Sequence, residues 1–266
     1  MGLLSRASTL DKTENVQGLA FTDFINKHSL KICALLEKKD TDYFVKNSIG
    51  FDGNSIISAV STSDFWQGIC PHAKKIYSFN NQEEIKPLLQ LFSLNLKENL
   101  KSIFVYKNAK SQILLTTDII SDEIAADAEI LDDKYHECDI STLNPLIKDD
   151  SLVLKLCIDY SEAVESFITS KIKSDEKTKT FVSTALSNEI YNRFICYYNS
   201  PDSTVYSGNN SIKTVIISDK TYSEELITNH LILNLKEVLE HYAELIQINF
   251  TGIAESCAET QDFLKS

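Results

Sequence analysis

Glycine, proline, tryptophan and methionine are all scarce in this chain. Its 266 residues include seven glycines, four prolines, one methionine and one tryptophan. Average proteins contain about 7% glycine and about 5% proline, so both residues are well below their usual frequency. This composition is not typical of a disordered chain, and neither GxGxxG nor GxxxxGK(S/T) occurs in the sequence. We therefore do not expect nucleotide binding through a glycine-rich loop.

Positive charge is also in short supply. Twenty-six lysines and arginines face 38 aspartates and glutamates, which gives a net charge of −12. Nucleic acids and anionic lipid surfaces are bound by clustered lysine and arginine. No apolar run approaches the roughly 18 residues that a membrane-spanning helix needs. The sequence therefore predicts a protein that binds neither nucleic acid nor membrane.

The start of the chain matches neither of two targeting signals. In "MGLLSRASTL" the apolar run ends at Leu4, which is too short for the apolar region of a secretory signal peptide. Arg6 stands where N-myristoylation requires serine or threonine. These observations favour a cytoplasmic location.

Cysteine spacing supports the same location. The six cysteines are Cys33, Cys70, Cys138, Cys157, Cys196 and Cys257. They are widely spread, none forms a CxxC pair, and several lie in apolar runs. This distribution favours reduced thiols within a core over a disulfide framework.

A shift in composition near the middle of the chain predicts two domains. Eleven acidic residues and only two lysines lie between residues 118 and 150, a balance typical of a solvated segment. We predict a loose N-terminal arm over 1–19, a first domain over 20–120, an acidic linker over 121–148 and a second domain over 149–266.

The first domain combines two hairpins with short helices between them. "LKICALLEKK" and "DYFVKNSIG" are apolar runs separated by a polar turn, and "SIFVYKNAKSQILL" predicts a second hairpin. This element order resembles that of the PAS and GAF sensory modules over about residues 20–120. The resemblance concerns the fold and includes no specific motif. It implies binding of a small ligand or dimerisation, without chemistry of its own.

The sequence pattern of the second domain predicts the order βαββαβ followed by a final helix. This order is that of a ferredoxin-like fold. The predicted elements include a helix capped by Ser223 and a strand that ends at Gly252. Residues 230–235, "HLILNL", fit either a helix or a strand. The predicted fold class is thus α/β (α+β), with a PAS/GAF-like and a ferredoxin-like domain.

Three of the seven glycines and the single tryptophan lie within "GFDGNSIISAVSTSDFWQG". Gly50 and Gly53 predict a sharp reversal from strand into helix. Asp52 or Asn54 is then the cap of that short helix.

A second short helix is expected directly after the first. Ser61 or Ser63 is its predicted cap, and Gly68 is predicted to end it in the left-handed conformation. We predict a ligand pocket at this helix, with Trp66 as its floor, Phe65 beside it and Ser61, Ser63 and Asp64 as polar contacts. The alternative is that Phe65 and Trp66 simply fill the core, as most large aromatic residues do.

Two Cys/His pairs suggest a metal site. Cys70 and His72 lie two residues apart, as do His136 and Cys138. Together they would supply four ligands of the types that tetrahedral zinc takes. The alternative is chance, since the spacing is tighter than that of the common zinc motifs. No other cofactor is indicated.

Catalytic motifs are missing, which favours a protein that is not an enzyme. Neither HExxH nor GxSxG occurs. Glu237 and His241 are four residues apart on a predicted helix, where an acid and an imidazole can form a general-base pair or only stabilise the helix. We predict a regulatory or sensory protein that binds a small molecule, a protein partner or a second copy of itself. The alternatives are a scaffold protein without a ligand and a zinc-binding protein.

Overall fold

The computed structural model shows a mixed α/β protein with two antiparallel sheets. It describes residues 18–98, 100–132, 152–173, 175–198, 203–208, 210–218, 223–254 and 257–265. Residues up to 132 are called the N-terminal half below, and residues from 152 onward are called the C-terminal half.

The N-terminal half alternates strands with short helices. Its helices are α1 (Phe21–His28), α2 (Gly53–Ser58), α3 (Ser63–Ile69), α4 (Gln82–Ile85), α5 (Leu94–Lys97) and α6 (Asp122–Glu129), with a 3-10 helix at Leu88–Leu91. Its strands are β1 (Cys33–Lys39), β2 (Asp42–Ile49), β3 (Ser61–Thr62), β4 (Lys75–Phe79), β5 (Ile103–Lys107) and β6 (Ile113–Thr116). The sheet order is β3-β2-β1-β6-β5-β4.

The central strands of this sheet carry apolar residues at successive positions, and this explains why both faces of the sheet are covered. Leu36 and Val105 point to one face and pack in the core below α2 and α3. Leu35 and Phe104, one residue earlier on the same strands, pack below α1 and α6 on the opposite face. Successive strand residues point to opposite sides, so strands that are apolar at every position must be buried on both sides.

The C-terminal half forms a second sheet with longer helices. Its helices are α7 (Ser161–Lys171), α8 (Glu176–Tyr198), α9 (Glu224–Leu239) and α10 (Cys257–Lys265), with a 3-10 helix at Glu240–Leu245. Its strands are β7 (Leu152–Asp159), β8 (Ser203–Gly208), β9 (Ser211–Ser218) and β10 (Gln247–Ala254). Neighbouring strands are antiparallel, in the order β10-β7-β9-β8.

Most of the predicted local elements are confirmed. The hairpins β1–β2, β5–β6 and β8–β9 are present. The Ser223 hydroxyl accepts a hydrogen bond from the Leu226 N–H and caps α9. Residues 230–235 are helical, and Leu231 and Leu235 are buried one turn apart. The strand reading of that segment is therefore wrong.

The predicted arm and linker differ from the structure at their edges. Residues 122–129 of the predicted linker form helix α6, whose Ile124 and Ala128 are buried. Leu19, predicted to belong to the loose arm, pairs with Leu131 in an isolated parallel bridge. The apolar side chains of α6 fill the face of the first sheet beside α1, so this segment belongs to the N-terminal half. Residues 133–148 of the linker lie outside the described residues.

One hydrophobic core joins the two halves. Leu36 and Phe51 belong to the same cluster of buried side chains as Leu156, Phe167 and Leu239. Burial of shared apolar surface is the main stabilising term in such packing. The two halves therefore stabilise each other.

Helix α8 closes the open edge of the first sheet. β3 pairs only with Asp42 and Tyr43, at the beginning of β2. Further along β2, the Asn188 side-chain amide donates to the Lys46 carbonyl at 2.7 Å, and Asn192 donates to the Ser48 carbonyl at 2.9 Å. Residues one turn apart on a helix rise about 6 Å, close to the spacing of alternate residues on a strand. Two asparagines four residues apart thus satisfy alternate carbonyls of an edge strand.

The two glycines beside β2 have different roles. Gly50 has a φ of +77° and makes the predicted reversal. Gly53 permits a close approach, because a Cβ there would lie 2.6 Å from the Val238 carbonyl oxygen and 2.6 Å from the Phe167 ring. The Asp52 side chain accepts from the Ser55 N–H and caps α2, which decides between the two predicted caps.

Candidate functional site

Trp66 lies inside the shared core. Its side chain is fully buried, and its indole N–H donates to the Ser61 hydroxyl at 2.7 Å. Its ring meets those of Tyr43 and Phe65 edge to face, with centroids 6.1 and 5.2 Å away. This environment is the one described by the core-filling alternative.

The cap of α3 is Thr62 and not Ser61 or Ser63. The Thr62 hydroxyl accepts from the Phe65 N–H. Ser61 is engaged by Trp66, and Ser63 is already the first residue of the helix. Gly68 lies within α3 and does not adopt a positive φ, because the helix continues to Ile69.

The five residues of the predicted Trp66 pocket line none of the three cavities described below. Asp64 is exposed on the first turn of α3. The Ser63 hydroxyl is buried without a hydrogen-bond partner. A pocket at Trp66 stays a prediction.

Only half of the predicted zinc site falls on described residues. The Cys70 thiol is buried, and desolvation raises its pKa to about 11, so it is neutral at neutral pH. His72 is exposed on the segment after α3. His136 and Cys138 lie outside the described residues. In the described part of the chain, no three or more metal-binding side chains come together.

Glu237 and His241 do not form a pair on one helix. The α-helix ends at Leu239, and the His241 ring stacks on Tyr242 with centroids 4.0 Å apart. The Glu237 carboxylate accepts a hydrogen bond from the Arg193 guanidinium at 2.7 Å.

A groove of 310 Å³ lies between the β1–β2 hairpin, helix α8 and the start of α1. We call it the hairpin–α8 groove. Residues of the hairpin and α8 make up most of its lining. They are Glu37, Lys39, Phe44, Val45, Lys46, Asn47, Thr180, Phe181, Thr184, Asn188, Tyr191 and Asn192, and Phe21, Thr22 and Asp132 complete it.

Aromatic side chains form the apolar part of the groove. The rings of Phe44 and Phe181 lie 4.5 Å apart, one on β2 and one on the second turn of α8. Phe21 and Tyr191 line the same groove. Planar aromatic surfaces of this kind hold the apolar body of a ligand.

Charged side chains lie along the hairpin part of the groove. The Glu37 carboxylate is 2.8 Å from the Lys39 ammonium and 3.5 Å from the Lys46 ammonium. One carboxylate is thus shared by two lysines. The sequence places these residues on adjacent strands, but their proximity to Phe181 depends on the docking of α8.

A buried hydroxyl accompanies the groove at the α1 end. Thr22 is only 3% exposed, lines the groove, and its Oγ1 has no hydrogen-bond partner. A buried polar atom without a partner costs free energy. A ligand in the groove could supply the missing hydrogen bond.

Two further cavities are present. A polar cleft of 690 Å³ lies between α7, α8 and Asn210. An apolar hollow of 410 Å³ is lined by Ile216 on β9 and by Leu226, Ile227, His230 and Leu231 on α9. The groove differs from both in combining a pair of closely packed aromatic rings with charged groups.

No protein-family model, no curated protein and no solved structure matches the chain. None of the described helices combines the length and the apolar composition needed to cross a bilayer.

Sequence reasoning missed the groove because its walls come from distant segments. Residues 37–47 and 180–192 meet only when α8 docks on β2. The one available signal was Phe181, an apolar residue on the periodic face of α8 that is only half-buried in the structure.

Proposed function

We propose that this protein is a non-catalytic regulatory or sensory protein that binds a small ligand in the hairpin–α8 groove. The observation that carries the proposal is the groove itself, in which stacked aromatic rings adjoin a charged triad. Ligand sites are usually concave and mostly apolar, with a few well-placed polar groups. The groove has this composition.

Its position favours regulation. One wall is the hairpin of the N-terminal half, and the other is α8 of the C-terminal half. A ligand that contacts both walls stabilises their docked arrangement over any arrangement in which they separate. The fraction of molecules in which the two halves are docked would then depend on whether the ligand is bound.

We also infer a PAS/GAF-like N-terminal half and a ferredoxin-like C-terminal half in a cytoplasmic protein. A hairpin, a run of short helices and a second hairpin support the first assignment. The antiparallel order β10-β7-β9-β8, with β7 and β9 in the middle, supports the second.

A protein-binding scaffold is the second candidate. The apolar hollow beside α9 favours it, since Leu226 is largely exposed there and Leu233, two turns further along the helix, is exposed as well. Exposed apolar patches are common at protein–protein contacts. The residues that line this hollow lie far along the sequence from those that line the groove. The two sets have no residue in common.

A thermal-shift screen tests the ligand proposal. The panel contains nucleotides, amino acids, aromatic carboxylic acids and the amides of those acids. A ligand at 100 times its dissociation constant stabilises the native state by about 2.7 kcal/mol, which gives a clear shift. Each hit is then titrated by calorimetry against wild type and Thr184→Trp, because an indole at exposed Thr184 would fill the groove.

Thr184 also lines the polar cleft, so the matched control is Ser183→Trp, which places the same indole in that cleft and outside the groove. We expect hits that bind wild type and Ser183→Trp equally and fail to bind Thr184→Trp. No hit in the panel, or hits that bind Thr184→Trp as tightly as wild type, would contradict binding in the groove.

A further inference from the structure

We infer that the ligand of the hairpin–α8 groove is an uncharged molecule that combines one apolar ring or short chain with one neutral hydrogen-bonding group, a hydroxyl or a carboxamide. This inference rests on the proposed function, because it names the chemistry of the ligand for the same site. The apolar body would lie against Phe44 and Phe181, and the neutral polar group would bond to the Thr22 hydroxyl.

The charged side chains of the groove balance one another. Two lysines, Lys39 and Lys46, and two acids, Glu37 and Asp132, line it. The Glu37 carboxylate is within 3.5 Å of the Lys46 ammonium and 2.8 Å of the Lys39 ammonium. The lining therefore has no net formal charge. An ionic ligand would give up its hydration without meeting an unbalanced opposite charge, which costs free energy.

Most of the neutral polar side chains in the lining are already engaged. The hydroxyls of Thr180 and Thr184 donate to carbonyls one turn back along α8. The amides of Asn188 and Asn192 donate to carbonyls of β2. These bonds hold the two walls in place, so these donors belong to the fold and not to the ligand.

The Thr22 hydroxyl is different. Thr22 lines the groove, is only 3% exposed, and its Oγ1 has no hydrogen-bond partner among the described residues. It lies in the first turn of α1, whose N-terminus has no side-chain cap. A hydroxyl can both donate and accept, so a hydroxyl or a carboxamide on the ligand can satisfy it. Such a bond would remove the free-energy cost of an unpaired buried polar atom.

The aromatic pair and the Thr22 hydroxyl lie toward opposite ends of the groove. Phe44 is the third residue of β2, close to the hairpin turn, and its ring centroid is 4.5 Å from that of Phe181. Phe21, the residue before Thr22, belongs to the same buried cluster as Ile49, at the far end of β2. A ligand that reaches both ends therefore has one apolar end and one polar end.

The volume of the groove limits the size of this ligand. At 310 Å³ it lies at the lower limit of ordinary ligand pockets. This volume suits one ring or a short acyl chain with a small polar group, and it is too small for a dinucleotide.

The test uses three probes that share one apolar body and differ in charge. They are phenylbutyramide, phenylbutyrate and phenylbutylamine, which are neutral, anionic and cationic at neutral pH. Titration calorimetry measures the dissociation constant of each with the full chain. We expect phenylbutyramide to bind about tenfold more tightly than either ion, a difference of about 1.4 kcal/mol.

Variants of Thr22 test the hydrogen bond to the ligand. Thr22→Val keeps the shape of the side chain and removes the hydroxyl, so it should weaken phenylbutyramide about tenfold. Thr22→Ser keeps the hydroxyl and should bind phenylbutyramide nearly as wild type does. The control is Thr228→Val on α9, outside the groove, which should leave the affinity unchanged. Phe181→Ala should weaken all three probes, because they share the apolar body.

Thermal denaturation without ligand separates binding from a role in folding. Thr22→Val should have a midpoint equal to or above that of wild type, because the hydroxyl has no hydrogen bond to lose. A clearly lower midpoint would show that the protein itself satisfies this hydroxyl and would overturn the inference. If Thr22→Val does not fold, comparison of Thr22→Ser with Thr22→Ala takes its place.

The outcomes separate this inference from the proposed function. Binding of either ion as tightly as the amide, or an amide affinity that Thr22→Val or Phe181→Ala leaves unchanged, would overturn the neutral ligand. If Thr184→Trp still abolished that binding and Ser183→Trp did not, the groove would remain a binding site. Failure of all three probes to bind, or binding that Thr184→Trp does not affect, would contradict the groove as the site and the inference with it.

Discussion

At the scale of single residues, Trp66 shows how one sequence pattern fits both a core position and the floor of a pocket. It lies on a short helix near several serines, the pattern expected of a pocket floor. In the structure its ring is fully buried and its N–H is paired with Ser61. Local sequence places an aromatic residue near turns, but only packing decides whether it faces a cavity.

Truncation of Trp66 should be costly. We expect Trp66→Ala to lower the free energy of unfolding by about 3–5 kcal/mol, as loss of large buried aromatic side chains does. Trp66→Phe should lose less, because much apolar volume remains and Ser61 keeps its bond to the Ala59 carbonyl. Urea denaturation of both variants measures the difference, and a loss below about 1 kcal/mol in the alanine variant would contradict the core role.

The emission of this single tryptophan is a companion test. The emission should be blue-shifted, and it should not change when a ligand fills the hairpin–α8 groove. A ligand that shifts the emission and binds Thr184→Trp normally would instead support the pocket predicted at Ser61, Ser63, Asp64, Phe65 and Trp66.

Glu189 is the most deeply buried acid in the contact between the halves. It is fully buried on α8, and its Oε1 accepts from the Arg193 guanidinium at 2.7 Å. The Ser48 hydroxyl and the Gly50 backbone N–H also face this carboxylate and favour its charged form. Burial raises the pKa of Glu189, and the charge of Arg193 opposes that rise only in part.

This raised pKa predicts a pH dependence of stability. Because the folded state holds the Glu189 proton more tightly than the unfolded state, its contribution is present below the unfolded pKa and is lost as pH rises through the folded pKa. We therefore expect the stability of wild type relative to Glu189→Gln to increase as the pH falls toward about 4.5. Urea titrations of both proteins between neutral and acid pH measure it.

Asp127 supplies the contrasting case. Hydrogen bonds from Lys27 and His28 outweigh its desolvation and lower its pKa, so its contribution is lost as the pH falls. Asp127→Asn should therefore converge with wild type in acid. If the stability of wild type relative to Glu189→Gln instead decreased as the pH falls, as it should relative to Asp127→Asn, the raised pKa of Glu189 would be contradicted.

At the scale of elements, α8 acts as a cover for the open edge of β2. Uncovered edge strands expose unpaired backbone groups and favour aggregation. Here side-chain amides take the place of a neighbouring strand. The same contact forms one wall of the groove, so edge protection and ligand binding depend on one helix.

Removal of these amides should weaken the docking of α8. We expect Asn192→Ala to cost about 1–3 kcal/mol, because it leaves the buried Ser48 carbonyl without its donor. Asn188→Ala should cost less, since Asn188 is only half-buried. Asn234→Ala is the control, because its amide donates to the His230 carbonyl within its own helix, α9. Equal denaturation midpoints for Asn192→Ala and Asn234→Ala would argue against edge capping.

Gly53 and Gly68 offer a matched pair of glycine variants. Gly53→Ala should cost about 1–3 kcal/mol, because its Cβ would meet the Val238 backbone and the Phe167 ring. Gly68→Ala should be neutral or stabilise by up to about 1 kcal/mol, because Gly68 is helical and has open space around its Cβ position. Thermal denaturation compares the two, and a stable Gly53→Ala would contradict the close approach of α2 to α7 and α9.

At the scale of the whole molecule, the shared core predicts cooperative behaviour. We expect limited proteolysis to cut first between Asp118 and Asp150, because that stretch is acidic and lacks apolar periodicity. The packing of α6 narrows the expected site to positions beyond Asp132. The two fragments should then stay associated during gel filtration, because side chains of both halves form one core.

The unfolding transition gives the second half of that test. Uncut protein should unfold in one transition by both calorimetry and circular dichroism. A first cut within β7 or β9 would overturn the predicted boundary. Two separate transitions, or fragments that part after cleavage, would contradict the shared core.

Sequence alone determined the local elements of this protein. Alternating apolar residues and polar turns predicted the hairpins, and cap residues such as Ser223 predicted helix starts, because these depend on neighbours within a few residues. Local sequence left two alternatives open at the cap of α2, Asp52 or Asn54, and in residues 230–235, a helix or a strand. The tertiary structure decides both, in favour of Asp52 and of the helix. Burial of Leu231 and Leu235 against the shared core made that segment a helix.

Tertiary structure alone decided the candidate site. The walls of the groove come from residues 37–47 and 180–192, and no local pattern in either segment points to the other. The docking of α8 on β2 joins them, through asparagine side chains whose spacing matches the strand only after both elements have formed. Contacts between distant segments depend on the global burial of apolar surface, and that burial is a property of the folded chain as a whole.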